Sequence, residues 1–157
     1  MSDTTNSDIG TGDGGTNTVI TQPPENLPTS APRPNEDSKP FWDASGEGRF
    51  TLQRCSACET VVWWPRAICP ICSSFDLEWF DAAGTGSVYS YTVVHRSIGR
   101  WNGATPYVVA YVELDEGPRV MTNIVDCDPA DVAIGSTVRV VWHDTGEGTA
   151  LPRFTIG

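Results

Sequence analysis

The sequence has little positive charge and almost no histidine. Lys39 is the single lysine in 157 residues, nine arginines complete the cationic set, and twenty acids leave a formal net charge of −10. Binding to nucleic acid without sequence preference rests on neutralising phosphates with Lys and Arg, so this balance argues against it. The only histidines, His95 and His143, fall at the ends of predicted strands, where a surface or satisfied core role outweighs general-base work. There is no nucleophile elbow, no HExxH and no phosphate-cradling glycine loop, so no catalytic constellation is visible. Nor is there a long apolar run or a basic leader followed by an apolar stretch. Neither secretion nor a membrane span is indicated, and a cytoplasmic location is expected.

Apolar residues are also scarce in the first quarter. Up to Pro40 the chain is mostly Ser, Thr, Asp, Asn, Gly and Pro, with Val19, Ile20 and Leu27 as its clustered aliphatics. Such a segment buries too little apolar surface to offset its ordering entropy, so residues 1–39 are expected to form a disordered acidic tail. Both parts of the chain are acidic, with six acids against two bases up to Pro40 and fourteen against eight beyond it.

Cysteine is where the sequence becomes specific. Two Cys-x-x-Cys pairs, Cys55/Cys58 and Cys69/Cys72, stand ten residues apart in RCSACETVVWWPRAICPIC. Each pair suits a tight turn, and a hairpin between them brings the turns together. Four thiolates at one point are a soft, tetrahedral donor set that fits zinc and, next best, a single iron; disulfides or free thiols are the alternative. The odd thiol, Cys127, fits a reducing compartment better than a disulfide scaffold and reads as a small, partly buried residue.

The remainder reads as all-β. Pro40 opens a short helical turn with Phe41 and Trp42 as an apolar anchor, either a lid over the chain's own core or a docking segment, before Gly46 and Gly48 stop it. Strands are predicted over Phe50–Arg54, Thr60–Trp64 and Phe75–Phe80, completing a three-stranded ribbon within residues 40–82 that takes the metal as its core. Residues 83–157 carry five more β-rich runs: Ser87–His95, Tyr107–Leu114, Arg119–Val125, Thr137–His143 and Pro152–Ile156. A helical turn lies between the third and fourth, with Asp128 as N-cap, Pro129 at the first position and Gly135 as the stop. Five strands in this order predict a small five-stranded Greek-key barrel of OB type. Val88, Val94, Val108, Ala110, Val112, Leu114, Val138, Val140 and Trp142 are the expected interior.

These residues resemble a known family, the rubredoxin-like zinc-ribbon plus OB-fold proteins found beside thiolase-superfamily enzymes. The likeness is carried by FWDASGEGRFTLQRCSAC, PRAICPIC, GTGSVYSYTVVHR, PYVVAYVELDEGPRVMTNIVDCDPADVAIGSTVRVVW and LPRF, and it covers the chain from Phe41 to the C-terminus. It implies a noncatalytic subunit with structural zinc that binds a thiolase-like or aldolase partner, as a heterotetramer, and helps form an acyl-CoA site. One branch serves an aldolase of bacterial steroid side-chain degradation, and Pro106–Pro129 looks most like that branch. Other branches serve acetyl transfer in polyketide-type chemistry or bridge thiolase-fold enzymes of isoprenoid synthesis. The first metal turn has Glu59 where many members carry glycine, which predicts slight strain without loss of a ligand.

Within that reading, the loop HRSIGRWNGATPY is the candidate acyl-CoA contact. Arg96 and Arg100 offer guanidinium forks for phosphates and Trp101 a stacking surface; the competing reading is a solvated loop or a partner contact. Arg49, Arg54 and Arg66 read as partners of local carboxylates and thiolates rather than a phosphate patch. Trp63 and Trp64 alternate across a strand, so at least one is expected outside, where tryptophan often marks an interface. Two other functions compete with the accessory subunit: a nucleic-acid-binding ribbon and barrel, suggested by fold and opposed by charge, and a rubredoxin-type electron carrier, for which the ten-residue gap is short.

Overall fold

β-branched and aromatic residues in alternation build nearly all of the regular structure. The computed structural model describes residues 18–157. A two-residue strand β1 (Ile20–Thr21) precedes helix α1 (Lys39–Ser45) and the ribbon strands β2 (Thr51–Cys55), β3 (Val61–Val62) and β4 (Leu77–Asp81). The barrel strands are β5 (Thr85–Val94), β6 (Tyr107–Leu114), β7 (Arg119–Ile124), β8 (Thr137–Asp144) and β9 (Ala150–Ile156), with 3-10 turns at Gly99–Ala104 and Pro129–Asp131.

The ribbon is a three-stranded antiparallel sheet in the order β3-β2-β4. In the second sheet β5, β6 and β7 form an antiparallel meander, and β9 pairs with β7 in parallel and with β8 antiparallel. Because β8 returns to β5, the five strands close, giving the OB-type barrel that the sequence predicts and leaving no free edge among them.

Side chains that alternate along each strand fill the interior, and burying a Val or Leu stabilises by about 1.5–3 kcal/mol. Every expected interior residue is buried except Val94. The register of β5 on β6 shifts between Val88 and Ser90, after which Val93 faces Val108 and Val94 faces Tyr107. One inserted residue switches the inward parity of everything beyond it, so Val93 packs on the core in place of Val94. Just before the bulge, a Cβ on Gly86 would lie 2.2 Å from the Glu113 carbonyl oxygen; only glycine lets β5 approach β6 so closely.

Three expectations are corrected. The tail expected to be disordered through residue 39 falls into two parts: residues 1–17 lie outside the described residues, while, within 18–38, residues 20–30 run along the barrel and Asn35–Ser38 form the turn into α1. Ile20 pairs in parallel with Trp142 and Thr21 with His143, and further along Pro28 and Thr29 are held by Arg153. Sparse apolar content is offset here by hydrogen bonds to groups the barrel supplies. Second, the ribbon does not rely on a metal alone for its core, since Phe41, Phe50 and Leu52 belong to the same buried cluster as Trp142 and Phe154. The Phe50 ring stands 5.9 Å from Trp142 and 6.2 Å from Phe154. Third, the helical turn after Asp128 ends at Asp131 rather than Gly135, although Asp128 caps it as expected by accepting from the Ala130 N–H at 2.9 Å.

Helix α1 is the lid over the chain's own core. Phe41 is fully buried and meets Phe50, Trp63 and Trp64 edge-on, at 5.6, 5.2 and 5.4 Å. Ser45 fixes the helix to the barrel, donating to the Trp42 carbonyl at 2.7 Å and accepting from the Ala150 N–H at 3.2 Å. No helix among the described residues is long and apolar enough to cross a membrane.

Candidate functional site

The two cysteine pairs form matching turns. The Glu59 N–H donates to the Cys55 carbonyl at 2.8 Å and the Ser73 N–H to the Cys69 carbonyl at 3.0 Å. In the same way the Cys55 N–H bonds Thr60 at 3.0 Å and the Cys69 N–H bonds Ser74 at 2.9 Å. Strand β2 delivers Cys55 and the β2–β3 turn delivers Cys58, while the loop before β4 carries Cys69 and Cys72. All four Sγ atoms lie within 4.8 Å of one another, with Cys55–Cys72 at 3.5 Å and Cys58–Cys69 at 3.6 Å. A tetrahedral zinc with bonds of about 2.3 Å requires sulfurs roughly 3.8 Å apart, so this donor set fits the ion.

Crowding separates the acidities of these thiols. Cys58 falls to about 6 through the side-chain and backbone hydrogen bonds of Thr60, whose Oγ1 lies 3.3 Å from the sulfur. The backbone at Ser74 favours the thiolate of Cys72, but Cys58 and Cys55 override it and push Cys72 up to about 12. A divalent cation would relieve that conflict by holding all four as thiolates and offsetting half of their charge. Cys127 is no part of the cluster; burial, then Asp131, Asp126 and Asp128, push its thiol up, which makes it a poor nucleophile.

The loop between β5 and β6 does not gather its three candidates into one pocket. Arg96 is exposed, and among the described residues no hydrogen bond or ion pair joins it to Arg100 or Trp101. Arg100 turns to the tail, donating from both terminal nitrogens to Ser30 Oγ at 2.6 and 3.0 Å. Trp101 leans on Tyr107 with centroids 4.8 Å apart. Near the ribbon, Arg49 pairs with Glu47 and Asp81, each at 2.8 Å, as local carboxylates predict; Arg54 lies over the Phe80 ring at 4.8 Å, and Arg66 Nε donates to the Trp64 carbonyl at 3.2 Å.

Sequence reasoning missed the most deeply buried charge. Arg153, on β9, is 3% exposed and forms no ion pair among the described residues. Its guanidinium donates to Thr29 Oγ1 at 2.9 Å, to the Pro28 carbonyl at 2.7 Å and to His143 Nδ1 at 2.5 Å. Burial lowers its pKa to about 10 and, together with the guanidinium, lowers that of His143; a neutral imidazole is thereby fixed as the acceptor. An arginine within an otherwise uncharged strand was the available signal. Trp63 and Trp64 both lie beyond β3 rather than alternating on it, and with Trp42, Trp101 and Arg153 they line a cleft of about 240 Å³.

On the outer sheet face, Tyr111 and Met121 sit directly opposite each other on β6 and β7, at 47% and 65% exposure. Tyr89 on β5 is similarly exposed, with the Arg119 guanidinium 3.5 Å above its ring.

Comparison with known proteins places both halves. Residues 42–78 match the family described as "ChsH2, rubredoxin-like zinc ribbon domain" and residues 79–143 that described as "ChsH2, C-terminal OB-fold domain". A solved structure described as "Ltp2-ChsH2(DUF35) aldolase" superimposes with a TM-score of 0.71 at 41% identity, over 80% of this chain and 98% of that one. A "Probable enoyl-CoA hydratase alpha subunit" of Thermomonospora curvata is 42% identical over 125 residues, 78% of this chain and 39% of that protein. A "DUF35 domain-containing scaffold protein" of Methanothermobacter thermautotrophicus is 40% identical over 99 residues, 62% of this chain and 74% of that protein. The chain thus spans well under half the length of the Thermomonospora relative.

Proposed function

Since the chain belongs to the family of ChsH2-type zinc-ribbon and OB-fold proteins, we propose that it is a zinc-binding, noncatalytic accessory subunit that docks on a thiolase-like enzyme and helps form its acyl-CoA site. The observation that carries this reading is the fit over 98% of a chain in a structure described as an "Ltp2-ChsH2(DUF35) aldolase". Cys55, Cys58, Cys69 and Cys72 hold a structural zinc, which fixes the ribbon and takes no part in bond making. Nucleophile and acid–base groups come from the partner.

Two physical features support partnership. The outer face of β5, β6 and β7 presents Tyr89, Tyr111 and Met121 to solvent, a composition typical of protein contacts. The loop carrying Arg96, Arg100 and Trp101 borders that face; to meet a CoA phosphate and adenine in the assembled complex, Arg100 would have to leave Ser30 and turn towards Arg96 and Trp101. The finer reading is a heterotetramer, two of these chains on a thiolase-like dimer, acting in a retro-aldol step on a steroid side-chain acyl-CoA.

Native mass spectrometry of the tagged chain recovered from its own cells tests this, with metal content read on the same sample. One zinc per chain and a thiolase-sized partner are expected. Recovery of the chain alone, unchanged when a thiolase-like enzyme from the same cells is added, would refute it.

A further inference from the structure

A cleft lies where the ribbon, helix α1 and the barrel meet. Its walls are the indoles of Trp42, Trp63, Trp64 and Trp101, and Arg153 contributes a guanidinium. That charge is buried, yet its partners are all neutral: a hydroxyl, a carbonyl and an imidazole. Leaving a desolvated guanidinium unsatisfied is costly, so the groups that meet it are held firmly. Two of the three, the Pro28 carbonyl and the Thr29 hydroxyl, come from one short stretch of the tail.

That stretch has a distinctive composition. PPENLPTSAPRP, residues 23–34, holds five prolines in twelve residues. Pro28 shares the lining of the cleft with the four tryptophans. On either side the segment is tied to the loop of Trp101: Asn26 Nδ2 donates to the Gly103 carbonyl at 3.1 Å, and Ser30 Oγ accepts from Arg100. Proline-rich peptides give up little chain entropy on binding, expose their carbonyls, and pack their rings on aromatic side chains. Indole walls with a donor aimed at the carbonyl of the seated proline are the complementary surface.

We propose that the tryptophan-walled cleft is a recognition site for a proline-bearing peptide segment, and that the chain's own residues 26–30 occupy its Arg153 end in cis as a displaceable strap, with Pro28 forming one wall of the space that stays open. While the strap is seated, Arg100 is engaged by Ser30 and Trp101 is flanked by Pro28. The strap therefore competes with any other use of that loop. Being tethered, it acts at an effective concentration in the millimolar range, enough to exclude a weak competitor added from solution. The inference does not depend on the accessory-subunit reading, because it concerns the chain alone.

The test uses the full zinc-loaded chain and a fluorescently labelled synthetic peptide of residues 23–34, with binding followed by anisotropy. In the triple variant Pro28→Gly, Thr29→Ala, Ser30→Ala the strap is loosened while the four indoles and Arg153 are unaltered, so the peptide should bind at least tenfold tighter than it does to the unaltered chain. A peptide carrying the same three substitutions should bind neither protein. Should the triple variant lose its zinc, Asn26→Ala with Ser30→Ala, both on exposed strap residues, should give a smaller gain of the same sign. The proposal is overturned if loosening the strap leaves peptide affinity unchanged, or if the substituted peptide binds as well as the native one.

Discussion

Glu59 and Ser73 hold equivalent places in the two metal turns, each one residue past the second cysteine of its pair, with φ of 62° and 61°. Both are in the left-handed region, where a Cβ crowds the following carbonyl at a cost of roughly 1–2 kcal/mol and glycine escapes it. Neither turn has glycine at this position. Glu59→Gly and Ser73→Gly should therefore each stabilise the zinc-loaded chain by about 0.5–1 kcal/mol after glycine's own entropy is set against the gain. Glu59→Val should destabilise it. Chemical denaturation of the three variants checks this, and a loss of stability in both glycine variants would contradict the strain.

Removal of the metal should reach further than the ribbon. Phe50 and Leu52 belong to the ribbon by sequence and to the barrel core by packing, so Cys69→Ser, or chelation, is expected to loosen the barrel as well. The loss should stay below the ~10 kcal/mol typical of isolated finger peptides, which have little other core. Hydrogen exchange read at β2 and at β8 distinguishes the outcomes: protection should fall at both, and an unchanged β8 would mean that the two halves are energetically separate.

Acid should weaken the fold at a point the histidine count would not suggest. His143 has its pKa lowered from 6.5 by burial and by Arg153, with Asp126 opposing. The folded state therefore binds this proton less readily than the unfolded chain, so the contribution of the neutral ring is complete above about pH 6.5 and declines as pH falls towards the lowered value. His143→Gln retains an acceptor for Arg153 without titrating. The stability advantage of the unaltered chain over this variant should shrink from neutral to mildly acidic pH, and urea midpoints for both proteins across that range will show whether it does.

At the bulge, sterics dominate. Gly86→Ala would drive a methyl group into the β6 backbone, with Leu114 Cα at 2.9 Å as well as the Glu113 oxygen, and backbone cannot move aside as a side chain does. A loss of about 1–3 kcal/mol, or more, is expected from thermal unfolding. Substitution at Gly103, which has nothing within 4 Å of a built Cβ, is the matched control.

Much of this architecture was legible because its determinants are local and periodic. The cysteine spacing located the metal cluster, and alternation in YVVAYVEL and TVRVVW located β6 and β8. Val94 was misplaced because a bulge leaves no mark in the pattern, only a change of parity beyond it. The seating of residues 18–38 was invisible for a different reason: it depends on Arg153 and Arg100, distant in sequence, meeting single carbonyl and hydroxyl groups on a stretch without periodicity. The His143–Arg153 pair was hidden because a buried arginine without an acid matches no motif. For Arg96, Arg100 and Trp101, the sequence showed their proximity along the chain but not that Arg100 is turned to the tail.

The ring of Phe50 also bears on how this fold can be altered or inherited. With Trp63 stacked on it at 5.9 Å on the ribbon side and Trp142 at the same distance on the barrel side, it acts as a shared keystone. A ribbon transplanted to another barrel would carry that aromatic wedge onto a surface with no socket for it, and the abandoned barrel would open a hole at its end. The two halves are thus not interchangeable cassettes, and exchange between relatives should succeed only where ribbon and barrel travel together.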